Sequence, residues 1–169
     1  MDLGTLSQGN VSIVRGPNVM GEGVGAGTVA GKPSGARRGL LFRSGAVAQP
    51  LAGLAGGDDT TVFGLNDSGG FVGASNIGTA VRGFVGTRGG GVRELPPLSG
   101  DNASTAFALN NTRHAVGFSS GANGEKAVIW DANAVPSALP RFEGARSSRA
   151  TAISSRGDVV GVARVASGA

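Results

Sequence analysis

The sequence predicts an all-β fold of four-stranded antiparallel units repeated every 44 residues, and three observations predict it. First, a set of positions recurs without gaps. Leu51 and Leu54 return as Leu95 and Leu98, then as Leu139 and Phe142. Gly56 returns as Gly100 and Gly144, and Leu65 as Leu109 and Ile153. Val72-Gly73 returns as Val116-Gly117 and Val160-Gly161. A fixed period of this size marks one supersecondary unit that is copied and stacked. Second, short apolar runs are split by Asn, Asp, Ser and Gly, residues that tolerate the backbone angles of hairpin turns. Third, proline recurs in one strand of each unit, at Pro50, Pro96 and Pro140. Proline cannot donate to a sheet ladder, so that strand is an edge.

The elements follow in chain order. Leu3 and Leu6 stand 48 residues before Leu51 and Leu54, so residues 1–6 read as an orphan outer strand. Residues 11–59 make the first unit. Its second half, GLLF at 39–42 and QPLAGL at 49–54, keeps phase, while VSIVRGPNVMGEGVGAGTVAG does not align strand by strand. Residues 60–103 make the second unit. TTVFGL and GFVGAS flank the turn Asn66-Asp67-Ser68-Gly69, RGFVGT follows at 82–87, and VRELPPL follows at 92–98 after a three-glycine turn. Residues 104–147 repeat the plan with TAFALN, AVGFS, KAVIWD and PSALPRF. Residues 148–169 supply only ATAIS and DVVGVARV. No segment beyond about ten residues carries the three-and-four apolar spacing of a helix, and glycine punctuates nearly everything.

Four antiparallel strands in about 40–45 residues is the size of a β-propeller blade. Residues 1–169 therefore read as a single repeat domain. It is either three full blades plus a partial fourth built from both termini, with Leu3–Leu6 near 150–163, or an open fragment of a larger propeller. The opening MDLGTLSQGN looks like the middle of a repeat, as in a chain cut from a longer protein. It lacks the cationic and apolar pattern of a signal peptide.

Composition sets bounds on function. With 40% hydrophobic residues in periodic order, the 32 glycines read as turns in an ordered fold rather than as disorder. There are no cysteines, so disulfides and thiolate metal sites are excluded. Thirteen of the fifteen basic residues are arginine, and the net charge of +4 favours anionic partners weakly. No apolar stretch approaches the roughly 20 residues of a membrane-spanning helix.

Few residues promise chemistry. The single histidine, His114, reads as a turn-proximal surface residue, since one histidine makes no His-rich metal site. Asp58, Asp59 and Asp101 lie in the loops that lead into a unit; Asp59 and Asp101 would be a poor carboxylate pair for glycoside hydrolysis. Calcium-loop and phosphate-loop patterns are absent. Asn-x-Ser/Thr occurs at Asn10, Asn66, Asn102 and Asn110, but the in-phase pair Asn66 and Asn110 is explained by turn chemistry. The hydroxyl column Thr60, Ser104 and Ser148 is expected to bond loop backbone. Trp130, in phase with Gly86 and Phe42, reads as packing between units. The column of most interest is Arg38, Arg82 and Lys126, a cation before each third strand. In a ring these three would converge and could hold an anionic ligand; otherwise they are strand-end charges that discourage edge pairing.

Several of these segments resemble one known family. AFALNNTRHAVGFS at 106–119, ATAISSRGDVVGVA at 150–163, KAVIW at 126–130 and MDLGTL at 1–6 are similar to the extracellular HAF repeats of bacteria. The histidine of the name-giving triplet is replaced by Arg38, Arg82 and Lys126, and its tryptophan survives only as Trp130. The resemblance implies a propeller-like, exported protein, surface-bound or secreted, and it brings no catalytic residues. The expected role is therefore a non-catalytic interaction or structural module without cofactor or metal; the alternative is a propeller-type carbohydrate-active hydrolase or lyase. The expected partner is a protein or an anionic glycan. Neither sequence-specific nucleic acid binding nor membrane insertion is expected, and self-association follows if the ring is open.

Overall fold

A computed structural model describes residues 12–28 and 36–165. The expected outer strand at Leu3 and Leu6, and with it the meeting of the two termini, lies outside the described residues. The described chain contains no helix and forms four antiparallel sheets, each a meander of consecutive strands. The first sheet holds β1 (Ser12–Arg15), β2 (Gly23–Thr28), β3 (Arg37–Phe42) and β4 (Gln49–Pro50). The second holds β5 (Asp59–Leu65), β6 (Gly70–Ile77), β7 (Ala80–Thr87) and β8 (Val92–Leu95). The third holds β9 (Ala103–Leu109), β10 (Ala115–Gly121), β11 (Gly124–Trp130) and β12 (Pro136–Ala138). The fourth holds only β13 (Ala145–Ile153) and β14 (Val159–Val165).

The unit that does not align by sequence has the same plan. In the first sheet Gly27 pairs with Arg38, eleven residues on, whereas Ser75 pairs with Arg82 and Ser119 with Lys126, seven residues on. The connection between β2 and β3 is therefore four residues longer than its equivalents. The 44-residue phase becomes 48 residues upstream of it and hides β1 and β2 from a gapless alignment. The fourth strands are edges, as proline placement predicts, but they are shorter than the predicted 92–98 and 136–142. β8 stops just before Pro96 and β12 before Pro140, where the ladder would need a missing N–H.

The recurrent Val-Gly pair has a steric cause. β5, β9 and β13 each carry an extra residue opposite the second strand at an equivalent position, Phe63, Phe107 and Thr151; β13 carries a second at Arg146. Such bulges bend the strand and re-aim the extra side chain. The bend presses a carbonyl onto the facing residue. A Cβ on Gly73, Gly117 or Gly161 would lie 2.1, 1.9 or 2.1 Å from the carbonyl oxygen of Thr61, Thr105 or Arg149. Only glycine fits there.

Each sheet covers the face of the one before it, which is how a repeat too thin to bury its own apolar face becomes stable. Val62, Phe71 and Phe84 of the second sheet pack on Val24 and Leu41 of the first. Val72 and Leu95 pack on Ala106, Val128 and Trp130 of the third. Val116 and Ala127 pack on Ala150 of the fourth. Fully burying such an aliphatic or aromatic side chain contributes about 1.5–3 kcal/mol. One large side chain fills each equivalent cross-strand pair: Gly23 faces Phe42, Phe71 faces Gly86, and Ala115 faces Trp130. Trp130 is fully buried and donates its indole N–H to the Pro96 carbonyl at 2.8 Å, so it is a packing residue.

The in-phase positions are not all buried. Val72 and Val116 have no exposure, but Val160 is 63% exposed, because among the described residues no sheet follows the fourth. Leu54 and Leu98 are half-buried, whereas Phe142 in the same phase is 70% exposed.

Candidate functional site

Two ends of these sheets and one row that crosses them carry the polar and aromatic residues. The first end holds the turns that join first and second strands. Asn66 Oδ1 accepts from the backbone N–H groups of Ser68 and Gly70, fixing the turn. Asn110 does the same for Thr112 and His114, Asn18 for Met20 and Glu22, and Ser154 Oγ for Arg156 and Asp158. The amide nitrogens then reach the next sheet. Asn18 donates to the carbonyl of Asn66, Asn66 to that of Asn110, and Asn110 to that of Ser154, at 3.3, 3.0 and 3.3 Å. One residue along, Asp67 accepts from the Val19 N–H and the Asn111 amide, and both hold its carboxyl below the ordinary range. The four turns surround a shallow cavity of about 250 Å³. Asn66 and Asn110 are buried with their amides engaged, so neither is an accessible glycan acceptor. His114 Nδ1 meets Thr112 Oγ1 at 3.1 Å beside the same turn.

Near these turns Glu22 is buried between two cations, with Oε1 at 2.7 Å from Arg43 and 2.6 Å from Arg88 of the second sheet. Burial pushes its carboxyl up, but the hydrogen bonds from Arg43 and Asn18 and the charges of Arg88 and Arg43 outweigh burial and leave it below the ordinary range.

The opposite end holds the predicted cation column, and its three members are held differently. Arg38 is exposed and, with Arg37, Leu51, Asp58 and Thr60, lines a cavity of about 320 Å³. Its neighbour Arg37 grips Asp59 with two bonds of 3.0 and 2.9 Å. Arg82 lies 3.2 Å from Glu94 and donates to the Asn102 carbonyl. Lys126 lies 2.6 Å from Asp101, which also accepts from Ser119 Oγ at 2.7 Å. Burial pushes Asp101 up, and the bonds from Lys126 and Ser119 more than reverse that. Arg82 and Lys126 thus neutralise carboxylates, and Asp59 and Asp101 serve as anchors for cations.

The hydroxyl column lies beneath this end and bonds across sheets rather than to its local loop. Ser104 accepts the Gly83 N–H at 2.9 Å and donates to Leu95; Ser148 accepts the Ala127 N–H at 3.0 Å. Thr60 instead shares a 2.9 Å bond with Ser75. All three are buried.

The aromatic row is the arrangement the repeat alone does not announce. The bulges at Phe63 and Phe107 set the two rings edge to face, centroids 5.3 Å apart. Phe118 of β10 follows at 5.7 Å from Phe107. A guanidinium closes each end: Arg15 lies 5.1 Å from the Phe63 centroid and Arg149 lies 4.7 Å from that of Phe118. The rings are half-buried and Arg15 is exposed. Arg149 is also paired with Glu125, whose carboxyl it pulls below the ordinary range. The row crosses all four sheets. Its signal in sequence is the 44-residue spacing of Phe63 and Phe107 and the 48-residue spacing of Arg15 and Phe63.

Among the described residues no three His, Asp or Glu side chains converge as a metal site requires. No helix there is long and apolar enough to cross a membrane. No protein-family model matches this sequence, and no curated protein matches it significantly.

Proposed function

We propose that this chain is a non-catalytic interaction module, a propeller-like arc of blades that binds an acidic glycan along its inner row. The observation that carries the reading is the row itself. Phe63 and Phe107, re-aimed by in-phase bulges and set edge to face, and Phe118 beside Phe107 form an aromatic row with Arg15 and Arg149 at its ends. The apolar faces of successive pyranose rings suit such a strip, and a uronate carboxylate suits the exposed guanidinium of Arg15. Each ionic contact at an exposed site contributes only about 0–1 kcal/mol, so affinity is modest and falls with salt.

The carboxylates support a binding role over a catalytic one. Glu22, Asp59, Glu94, Asp101 and Glu125 each have a basic partner within ion-pair distance. Glu22, Asp67, Asp101 and Glu125 are all held below the ordinary range. A general acid for glycoside cleavage needs the opposite displacement. The resemblance to the HAF repeats supports a setting at the cell surface or outside the cell.

Calorimetric titration with oligogalacturonate and with a neutral oligosaccharide of equal length tests the reading. The parent is expected to bind the acidic chain alone, and Phe63→Ala/Phe107→Ala to weaken it at least about tenfold with the fold intact by circular dichroism, as loss of two stacking surfaces implies. Arg38→Ala/Arg82→Ala/Lys126→Ala should leave it unchanged. The reverse pattern would assign binding to the cation column and sink the inner row.

A further inference from the structure

The four turns that join first and second strands share a backbone and differ in one side chain. Three residues after Asn18, Asn66 and Ser154 stand Gly21, Gly69 and Gly157, at φ of 73°, 77° and 95°. Each donates its N–H to the carbonyl of the residue that opens its turn. Three residues after Asn110 the same bond is made by Arg113, at φ of 66°. A residue with a Cβ is strained in this left-handed region, and glycine is not. Backbone strain of this kind clusters at ligand sites.

A second cation breaks the repeat nearby. Arg93 stands where the equivalent fourth strands have Gln49 and Ser137. Arg93 and Arg113 border one cavity of about 340 Å³ between the second and third sheets. Both are exposed, and among the described residues neither has a carboxylate within ion-pair distance, unlike Arg82 and Lys126. Val85, Leu95, Leu109 and Ala115 also line the cavity, and the last three are buried. Asp131 is the one carboxylate on the lining, and its Oδ1 accepts the N–H groups of Asn133 and Val135 at 2.9 and 2.8 Å. The groove between the first and second sheets is the comparison that the repeat supplies. It measures about 300 Å³ and has Gln49 in place of Arg93. Its one lining cation, Arg88, is held by Glu22 at 2.6 Å. The second sheet also packs on the first and the third on the fourth, so the cavity lies within the repeat and not at its end.

We infer that this cavity binds a small organic carboxylate, held by Arg93 and Arg113, with an apolar body against Val85, Leu95 and Leu109. The guanidinium fork matches a carboxylate. An apolar lining with a few placed polar groups is the usual form of a small-molecule site. An inorganic anion would leave the lining unused, and a neutral apolar molecule would leave both guanidiniums unused. The inference goes beyond the glycan reading. The cavity and the aromatic row share no residue, so either can fail alone.

Titration of the whole 169-residue chain with 3-phenylpropionate, followed by amide NMR, tests it. Saturable shifts are expected at Val85 and Ala115. Acetate and inorganic phosphate, which lack the apolar body, and 3-phenylpropionamide, which lacks the charge, should bind at least about tenfold more weakly. Arg93→Gln/Arg113→Gly installs the residues found 44 positions earlier and should weaken binding at least about tenfold. Arg113→Gly should hold or raise the melting temperature, because glycine relaxes the left-handed backbone, so the loss reports the site and not the fold. Arg38→Ala, at a cation outside the cavity, should leave binding unchanged. The inference is overturned by no saturable binding, by phosphate or the amide binding as well as 3-phenylpropionate, or by parent-like binding in the double variant.

Discussion

At the turn end of the sheets Asn18, Asn66, Asn110 and Ser154 repeat one bonding scheme four times over. At the other end Arg38, Arg82 and Lys126 occupy one repeated position and make three different sets of contacts, Arg38 exposed, Arg82 on Glu94 and Lys126 on buried Asp101. The difference follows from what each end must satisfy. A turn side chain that caps two backbone N–H groups and bridges to the next sheet meets donors and acceptors fixed by the backbone. Burying them unpaired costs about 1–3 kcal/mol per group. A strand-end cation meets only other side chains and water, so any carboxylate that drifts into reach serves.

The comparison can be broken most severely below the turns. Gly117→Ala places a methyl group 1.9 Å from a backbone carbonyl that cannot withdraw without undoing the bulge. A loss of about 3 kcal/mol is expected by urea denaturation. A loss under about 1 kcal/mol would mean the bulge is not where the register puts it. Asn110→Ala comes next. It strips caps from two turn amides and the bridge to Ser154, and should cost about 2 kcal/mol. Arg38→Ala, at the exposed member of the opposite column, should change stability by no more than about 0.5 kcal/mol.

Acid sharpens the comparison between clasped and free charges. Glu22 and Asp101 have folded pKa values below their unfolded ones. Their contribution is therefore complete above the ordinary carboxylate range of about 3.9–4.3 and is lost as pH falls below it. The melting temperature should decline through that window, and Glu22→Gln should flatten part of the decline. An acid limb identical in parent and variant would show that Glu22 is not held by Arg43 and Arg88 when folded.

Much of the frame is legible in the sequence, and what is hidden has physical causes. The 44-residue period exposes Asn66 and Asn110, but not their partners. Ser154 does the same work with a different side chain, and Asn18 is thrown out of phase by the longer β2–β3 loop. The Val-Gly column is visible as a repeat, yet its reason is a bulge, and bulges are properties of the register between strands rather than of one strand. The aromatic row is half visible: Phe63 and Phe107 repeat, while Phe118 and Arg149 join them only through cross-strand geometry. The large-small exchange of Phe71/Gly86 for Ala115/Trp130 looks like drift along the chain and becomes one filled volume once the pairs face each other.

Side-chain amide hydrogen exchange, followed by NMR on the 169-residue chain, tests the turn ladder most directly. The Nδ2 protons of Asn66 and Asn110, buried and donating to the next sheet, should exchange at least about a hundredfold more slowly than those of exposed Asn133, as protected groups in a cooperative unit do. If the Asn66 and Asn110 amides exchange as fast as that of Asn133, the turns do not bridge the sheets and the account of the repeat fails.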